Sequence, residues 1–224
     1  MSKAIELINV WKHYNNNVPV LRGVNLSVPV GGFISIRGKS GAGKTTLLRL
    51  IGLLDRPTSG QIFLLGSEVS GMSDGEASRV RLKHIGFIFQ SFNLIPSLTV
   101  LENIELPMAL LGVEKRARRR RAAELLERFG MGKLANRFPA ELSGGEQQRV
   151  AILRAIANNP DIILADEPTS NLDEENSQLV YELFSEINRE NLTTIIVTEV
   201  SLEERLPTSE DYLLKNGLLY KLNP

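Results

Sequence analysis

Three short stretches hold the residues whose types and spacing could do chemistry. Residues 38–46 read GKSGAGKTT, residues 142–149 read LSGGEQQR and residues 162–173 read IILADEPTSNLD. The first follows an apolar run over 33–36 that suits a strand, and it opens a predicted helix over 44–54. A GxxxxGK[ST] run in that setting wraps backbone N–H groups around phosphate oxygens. Gly38, Gly41 and Gly43 allow the close approach, and Lys39, Ser40, Ala42 and Thr46 complete the cradle. The helix start near Lys44 aims its dipole and unpaired N–H groups at the same anion. Lys44 is expected on the β- and γ-phosphates, and the Thr45 hydroxyl on Mg²⁺.

The acidic pair narrows the class. Residues 162–165 form an apolar run suited to a strand buried on both faces, and it ends in Asp166 and Glu167. Adjacent carboxylates at a strand end point to opposite sides and can take different tasks. Asp166 suits the metal shell, through a water, and Glu167 suits polarising the water that attacks the γ-phosphate.

LSGGEQQR makes a third demand. Ser143 is a good N-cap, Gly144 and Gly145 leave the first turn bare, and helix formers run from Glu146 to about Asn158. This is another anion-binding helix terminus with no phosphate loop beside it in sequence. At this point the chain resembles the nucleotide-binding subunit of ABC transporters, over essentially its whole length. The resemblance implies that this signature, Ser143 to Glu146, closes over ATP held by the phosphate loop of a second copy. Two ATP molecules are then sandwiched in a head-to-tail dimer. It further implies that Tyr14 stacks on adenine with Val20 lining the base, and that Gln90 bridges Mg²⁺, the attacking water and the helical region beyond. Asp173 is expected on the loop that reaches across the dimer. Segments 73–108 and 141–152 look most like the branch serving lipoprotein release and macrolide export. In that branch the ATPase works with an integral-membrane permease from the cytoplasmic face of the membrane. Phe89, Phe92, Leu94, Ile95 and Leu98 are candidates to line the groove that meets it.

One departure stands out. After the apolar strand 194–197 the family pattern has Thr-His, the His contacting the γ-phosphate, whereas this chain has Thr198-Glu199. Its two histidines, His13 and His84, lie far upstream. An imidazole donates to phosphate, and an ionised carboxylate only accepts. Three arrangements are compatible with Glu199: swung away from a slower but working site, protonated in the closed site, or part of a site that binds ATP with very slow turnover. The alternative to a transport ATPase is therefore an ATP-gated clamp or regulatory subunit.

The surrounding elements must position these groups. Residues 3–36 read as strands with a turn at 15–17, a strand follows at 61–65, and a polar helix is expected over 73–84. A strand over 85–89 precedes Gln90. Helices are predicted over 100–111, 115–129 and 174–189, the last between the strands at 162 and 194. The expected fold is α/β, a P-loop NTPase core with an N-terminal antiparallel β subdomain and an inserted α-helical signature subdomain. One domain spans 1–224, with 1–90 and 159–224 as core and 91–158 as the helical insert. The basic run KRARRRR at 115–121 is expected to be a solvated helix face, paired with Glu124 and Glu127.

Composition excludes other classes. Lys plus Arg equals Asp plus Glu at 26 each, so no global charge argues for nucleic acid. There is no run of 18 apolar residues to span a bilayer, the first residues do not resemble a secretory leader, and no Cys is available for disulfide chemistry. The length leaves no room for the coiled coil of a chromosome-structural ATPase, and one phosphate loop with one signature does not match a two-domain translation factor.

Overall fold

The computed structural model describes residues 2–14, 18–201 and 206–222, so the turn expected at 15–17 lies outside the described residues. The described residues build two sheets. Strands β1 (Lys3–His13), β2 (Pro19–Pro29), β4 (Ser59–Leu64) and β5 (Ser67–Glu68) form an antiparallel sheet in the order β2-β1-β4-β5. Strands β3 (Phe33–Arg37), β6 (Ile85–Ile88), β7 (Ile162–Asp166), β8 (Thr194–Glu199), β9 (Glu210–Lys215) and β10 (Leu218–Leu222) form the second, ordered β10-β9-β3-β8-β7-β6. In that sheet β9, β3, β8, β7 and β6 run parallel.

Among the described residues six α-helices complete the fold: α1 (Lys44–Ile51), α2 (Asp74–His84), α3 (Val100–Leu110), α4 (Lys115–Arg128), α5 (Gly144–Ile156) and α6 (Glu174–Asn191). The buried strands are near-continuous apolar runs because both faces of the parallel sheet are covered. Their alternation sorts residues into two cores. Ile163, Ala165, Ile195 and Val197 pack with α3, α4, α5 and α6. Ile162, Leu164, Ile196, Ile34 and Ile36 pack on the other face with α1 and the antiparallel sheet.

Several boundaries differ from the sequence reading. Helix α1 stops at Ile51 instead of Leu54: Leu53 takes a left-handed φ of 57°, and the Leu54 N–H turns back to Arg49 O at 2.8 Å. Arg81 then captures the Leu53 carbonyl at 2.6 Å, fixing the turn. Strand β8 runs on through Glu199, two residues beyond the predicted strand, because Thr198 pairs with both β3 and β7 and Glu199 still pairs with Arg37 of β3. The basic run is only partly a solvated face. Arg118 on α4 reaches the buried Glu105 of α3 at 3.1 Å, and Arg121 reaches Asn159 at 2.7 Å, whereas Arg120 and Glu124 make the expected exposed i,i+4 pair.

Strand β6 and helix α5 meet across Gly86. A Cβ built there would lie 2.6 Å from the Ala155 carbonyl oxygen, which belongs to the helix backbone and cannot step aside. Gly86→Ala should therefore lower unfolding free energy by about 1–3 kcal/mol, read as a lower denaturation midpoint at unchanged m-value.

Candidate functional site

The parallel strands end on one edge, and the chemistry-bearing side chains gather there. The phosphate loop joins β3 to α1, and Gly43 caps α1 in a left-handed conformation with φ 102°. Lys44 is buried at 4% exposure, and its Nζ donates to Gly38 O at 2.7 Å and Lys39 O at 3.3 Å. The same ammonium lies 3.0 Å from Glu167 Oε1. One cation thus stands between the loop backbone and the carboxylate just beyond β7. Thr45 and Thr46 follow Lys44 in the first turn of α1, and Lys39, Ser40, Gly41 and Ala42 span the loop between Gly38 and Gly43. Val20 on β2 packs beside the loop: a Cβ on Gly43 would sit 3.1 Å from Val20 Cγ1.

Asp166 and Glu167 do not simply diverge. Strand alternation holds as far as Asp166, and Glu167, with φ 46°, leaves it. That turn carries the Glu167 carboxylate to Lys44. Thr198, fully buried on β8, ties the pair together, donating its hydroxyl to Asp166 Oδ1 at 2.8 Å and accepting the Glu167 N–H at 3.0 Å. The sequence marks Thr198 only as the neighbour of Glu199 and gives it no task of its own. Its role follows from pairing Asp166 with Thr198 across β7 and β8.

Glu199 is next along the strand and faces the other way. It shares its phase with Ile195 and Val197, whose side chains pack toward α6. Its carboxylate is buried and accepts the Thr169 hydroxyl at 3.1 Å and the Tyr181 hydroxyl of α6. The backbone nonetheless touches the phosphate loop, because Gly38 N–H donates to Glu199 O at 3.1 Å.

The signature stretch begins α5 at Gly144, directly after the N-cap expected at Ser143. Ser143 is the N-cap of a complete capping box: its hydroxyl accepts the Glu146 N–H, and the Glu146 carboxylate accepts the Ser143 N–H at 2.8 Å. That backbone hydrogen bond holds the Glu146 carboxyl below its usual range. Asp173 caps α6 in the same way, accepting the Asn176 N–H at 2.8 Å and the Asn176 side-chain amide at 2.9 Å. Gly145 lies directly against that Asn176 amide, with no space for a Cβ. The two helix starts therefore share one contact, and Gly144 faces Leu172 and Phe92.

Gln90 follows β6, and its carbonyl accepts Asn171 Nδ2 at 3.0 Å. The loop after it is held by Arg154 of α5, whose guanidinium donates to Phe92 O at 2.9 Å and Asn93 O at 2.6 Å. Sequence reasoning passed over Arg154, since an Arg late in a helix carries no motif. An open groove of about 570 Å³ lies beside this loop, lined by Leu54, Phe87, Phe89, Leu106, Pro107 and Leu110 among others. Of the five predicted groove residues Phe89 lines it, while Leu94 packs against the core.

The residues expected to hold a metal would offer it oxygens alone: the Thr45 hydroxyl, the Asp166 carboxylate and the Gln90 side-chain amide oxygen. One carboxylate with substrate phosphates suits Mg²⁺, which keeps most of its shell as water and phosphate. Among the described residues no cluster of three His, Cys, Asp or Glu could hold a metal by itself.

The profile of the ABC transporter family matches residues 21–170. An uncharacterised ABC transporter ATP-binding protein of Thermotoga maritima is 50% identical over 201 residues, 88% of this chain and 86% of that protein. The lipoprotein-releasing system ATP-binding protein LolD of Blochmanniella floridana is 42% identical over 213 residues, 95% of this chain and 91% of that protein. Among solved structures the chain is similar to the ATP-binding cassette MJ0796, described as dimeric in a post-hydrolysis state bound to ADP and Pi. The TM-score is 0.86 at 40% identity, covering 98% of this chain and 99% of that one.

Replacing Thr198 by the isosteric Val removes the hydroxyl that pairs Asp166 with the Glu167 N–H. Two half-buried polar groups then lose a partner, so Thr198→Val should cost about 0.5–1.5 kcal/mol of stability, measurable by urea denaturation.

Proposed function

Because the chain belongs to the ABC transporter ATP-binding family, we propose that it is the motor subunit of a transporter, hydrolysing Mg-ATP to drive a membrane permease from the cytoplasmic face. The observation that carries this is the meeting of Lys44, Glu167, Asp166 and Thr198 at one edge of the parallel sheet. Lys44 and the loop N–H groups bind the phosphates, and Tyr14 and Val20 receive the base. Thr45, Asp166 and Gln90 hold Mg²⁺, which supplies charge neutralisation to the phosphate oxygens. Glu167, fixed at its backbone by Thr198, orients and polarises the attacking water. Ser143 and Gly145 act on the nucleotide of a second copy, whose closure completes two sites at once. Similarity to LolD supports a permease of the lipoprotein-release kind. No helix among the described residues is long and apolar enough to cross a membrane. The groove at Phe89 and Leu110, beside the loop after Gln90, is a suitable surface to meet such a partner.

Hydrolysis in this chain is slowed, in our reading, because Glu199 offers the phosphate no donor and is retained by Thr169 and Tyr181. The same retention favours the second reading, an ATP-gated clamp that closes with little turnover. Purified protein should hydrolyse Mg-ATP at least about tenfold faster than Glu167→Gln, and Glu199→His should raise turnover by about 100-fold, the lower end of the scale of one transition-state donor. Wild-type turnover equal to the Glu167→Gln control would support the clamp; no gain in Glu199→His would show that another group serves the phosphate.

A further inference from the structure

Tyr14 lies just past the end of β1, and its phenol is tied to the loop that follows α1. Its hydroxyl donates to Asp55 Oδ2 at 2.8 Å. Asp55 Oδ1 accepts Lys12 Nζ at 2.6 Å and the Arg56 N–H at 2.7 Å, and the same ammonium donates to Arg56 O at 2.8 Å. Lys12 also stands 4.9 Å from the centroid of the Tyr14 ring. Both partners are largely sheltered, with side chains 11% and 22% exposed, while Tyr14 is 46% exposed.

The charges agree with the geometry. Burial alone would push the Asp55 carboxyl up, but the hydrogen bonds from Lys12, Tyr14 and Arg56 outweigh it and hold the group ionised below its usual range. The Tyr14 phenol is pushed up by burial and by Asp55, with Thr46 of α1 acting in the opposite sense. Tyr14 therefore remains a hydrogen-bond donor at neutral pH.

We propose that Lys12 and Asp55 are positioning residues for the base of the bound nucleotide: Asp55 fixes the orientation of the Tyr14 ring, and Lys12 occupies one of its faces, leaving the other to the base. The proposal rests on the reading that Tyr14 is the base platform. Two physical effects combine. A ring held by its hydroxyl needs no ordering when the ligand arrives, and a cation on one face interacts with the ring quadrupole while excluding the base from that side. The tie also sets a distance. Asp55 lies in the turn four residues past the end of α1, its N–H returning to Arg49 O of the helix at 3.3 Å, so the platform is tied back to the same helix whose start faces the phosphates. Base and triphosphate are thereby gauged against one rigid element.

A base-free probe separates this role from a structural one. Affinities for Mg-ATP and for inorganic tripolyphosphate with Mg²⁺ would be measured by calorimetry for the wild type, Tyr14→Ala, Tyr14→Phe, Asp55→Asn and Lys12→Met. Asp55→Asn, Tyr14→Phe and Lys12→Met should each weaken ATP binding about three- to tenfold, the scale of a charge-assisted hydrogen bond or a cation–π contact. Tripolyphosphate binding should be unchanged. Tyr14→Phe combined with Asp55→Asn should weaken ATP no further than either alone, since both cut the same tie. Equal losses for both ligands would mean a merely structural role and would overturn the proposal. So would a loss in Tyr14→Ala with none in Asp55→Asn and Lys12→Met. No loss in Tyr14→Ala would instead remove the platform reading on which the proposal rests.

Discussion

The in-register parallel pairing of β3, β8 and β7 is the constraint on which the rest depends. Arg37 is opposite Glu199 and Asp166 is opposite Thr198, so the strands run out together. The phosphate loop, the acidic pair and the Thr198-Glu199 step then fall at one level. Alternation fixes which face each receives. Thr198 turns to the α1 side with Asp166, and Glu199 turns to the α6 side with Ile195 and Val197. A one-residue slip of β8 would exchange the two, placing a carboxylate beside Asp166 and leaving Glu167 N–H without its acceptor.

Much of this was legible in the chain because the motifs are local. A Gly-rich turn between an apolar run and helix formers needs no distant information, and the capping pattern at Ser143 and Glu146 is written within four positions. The fold class was equally accessible: an α/β core with an antiparallel sheet ahead of it and helices inserted between β6 and β7. What could not be read depends on partners remote in sequence. The end of α1 is decided by Arg81 from α2, and the environment of Glu199 by Thr169 and Tyr181. Arg118 looked like one more solvated charge in KRARRRR until Glu105 of the neighbouring helix was placed beneath it.

The carboxylate chemistry shows how little the residue type alone determines. Glu146, Glu167 and Glu199 are the same group in three settings. Glu146 is consumed in closing its own helix start, held low by the N–H it accepts. Glu167 is turned by a left-handed backbone onto a lysine, an unfavourable conformation of the kind that clusters at reactive sites. Glu199 accepts hydroxyl donors in a buried wall. Only the second presents a carboxylate to the phosphate loop, and backbone geometry makes that selection.

The contact between Gly145 and Asn176 joins two stretches that the sequence keeps apart. Asn176 is oriented by Asp173, and Gly145 is the surface it rests on. A side chain at position 145 would require the Asn176 amide to swing off Asp173, while the Asn176 N–H would still cap onto that carboxylate. The dependence therefore runs in one direction: position 145 can gain a side chain only once the amide at 176 has moved, whereas a smaller residue at 176 leaves Gly145 undisturbed.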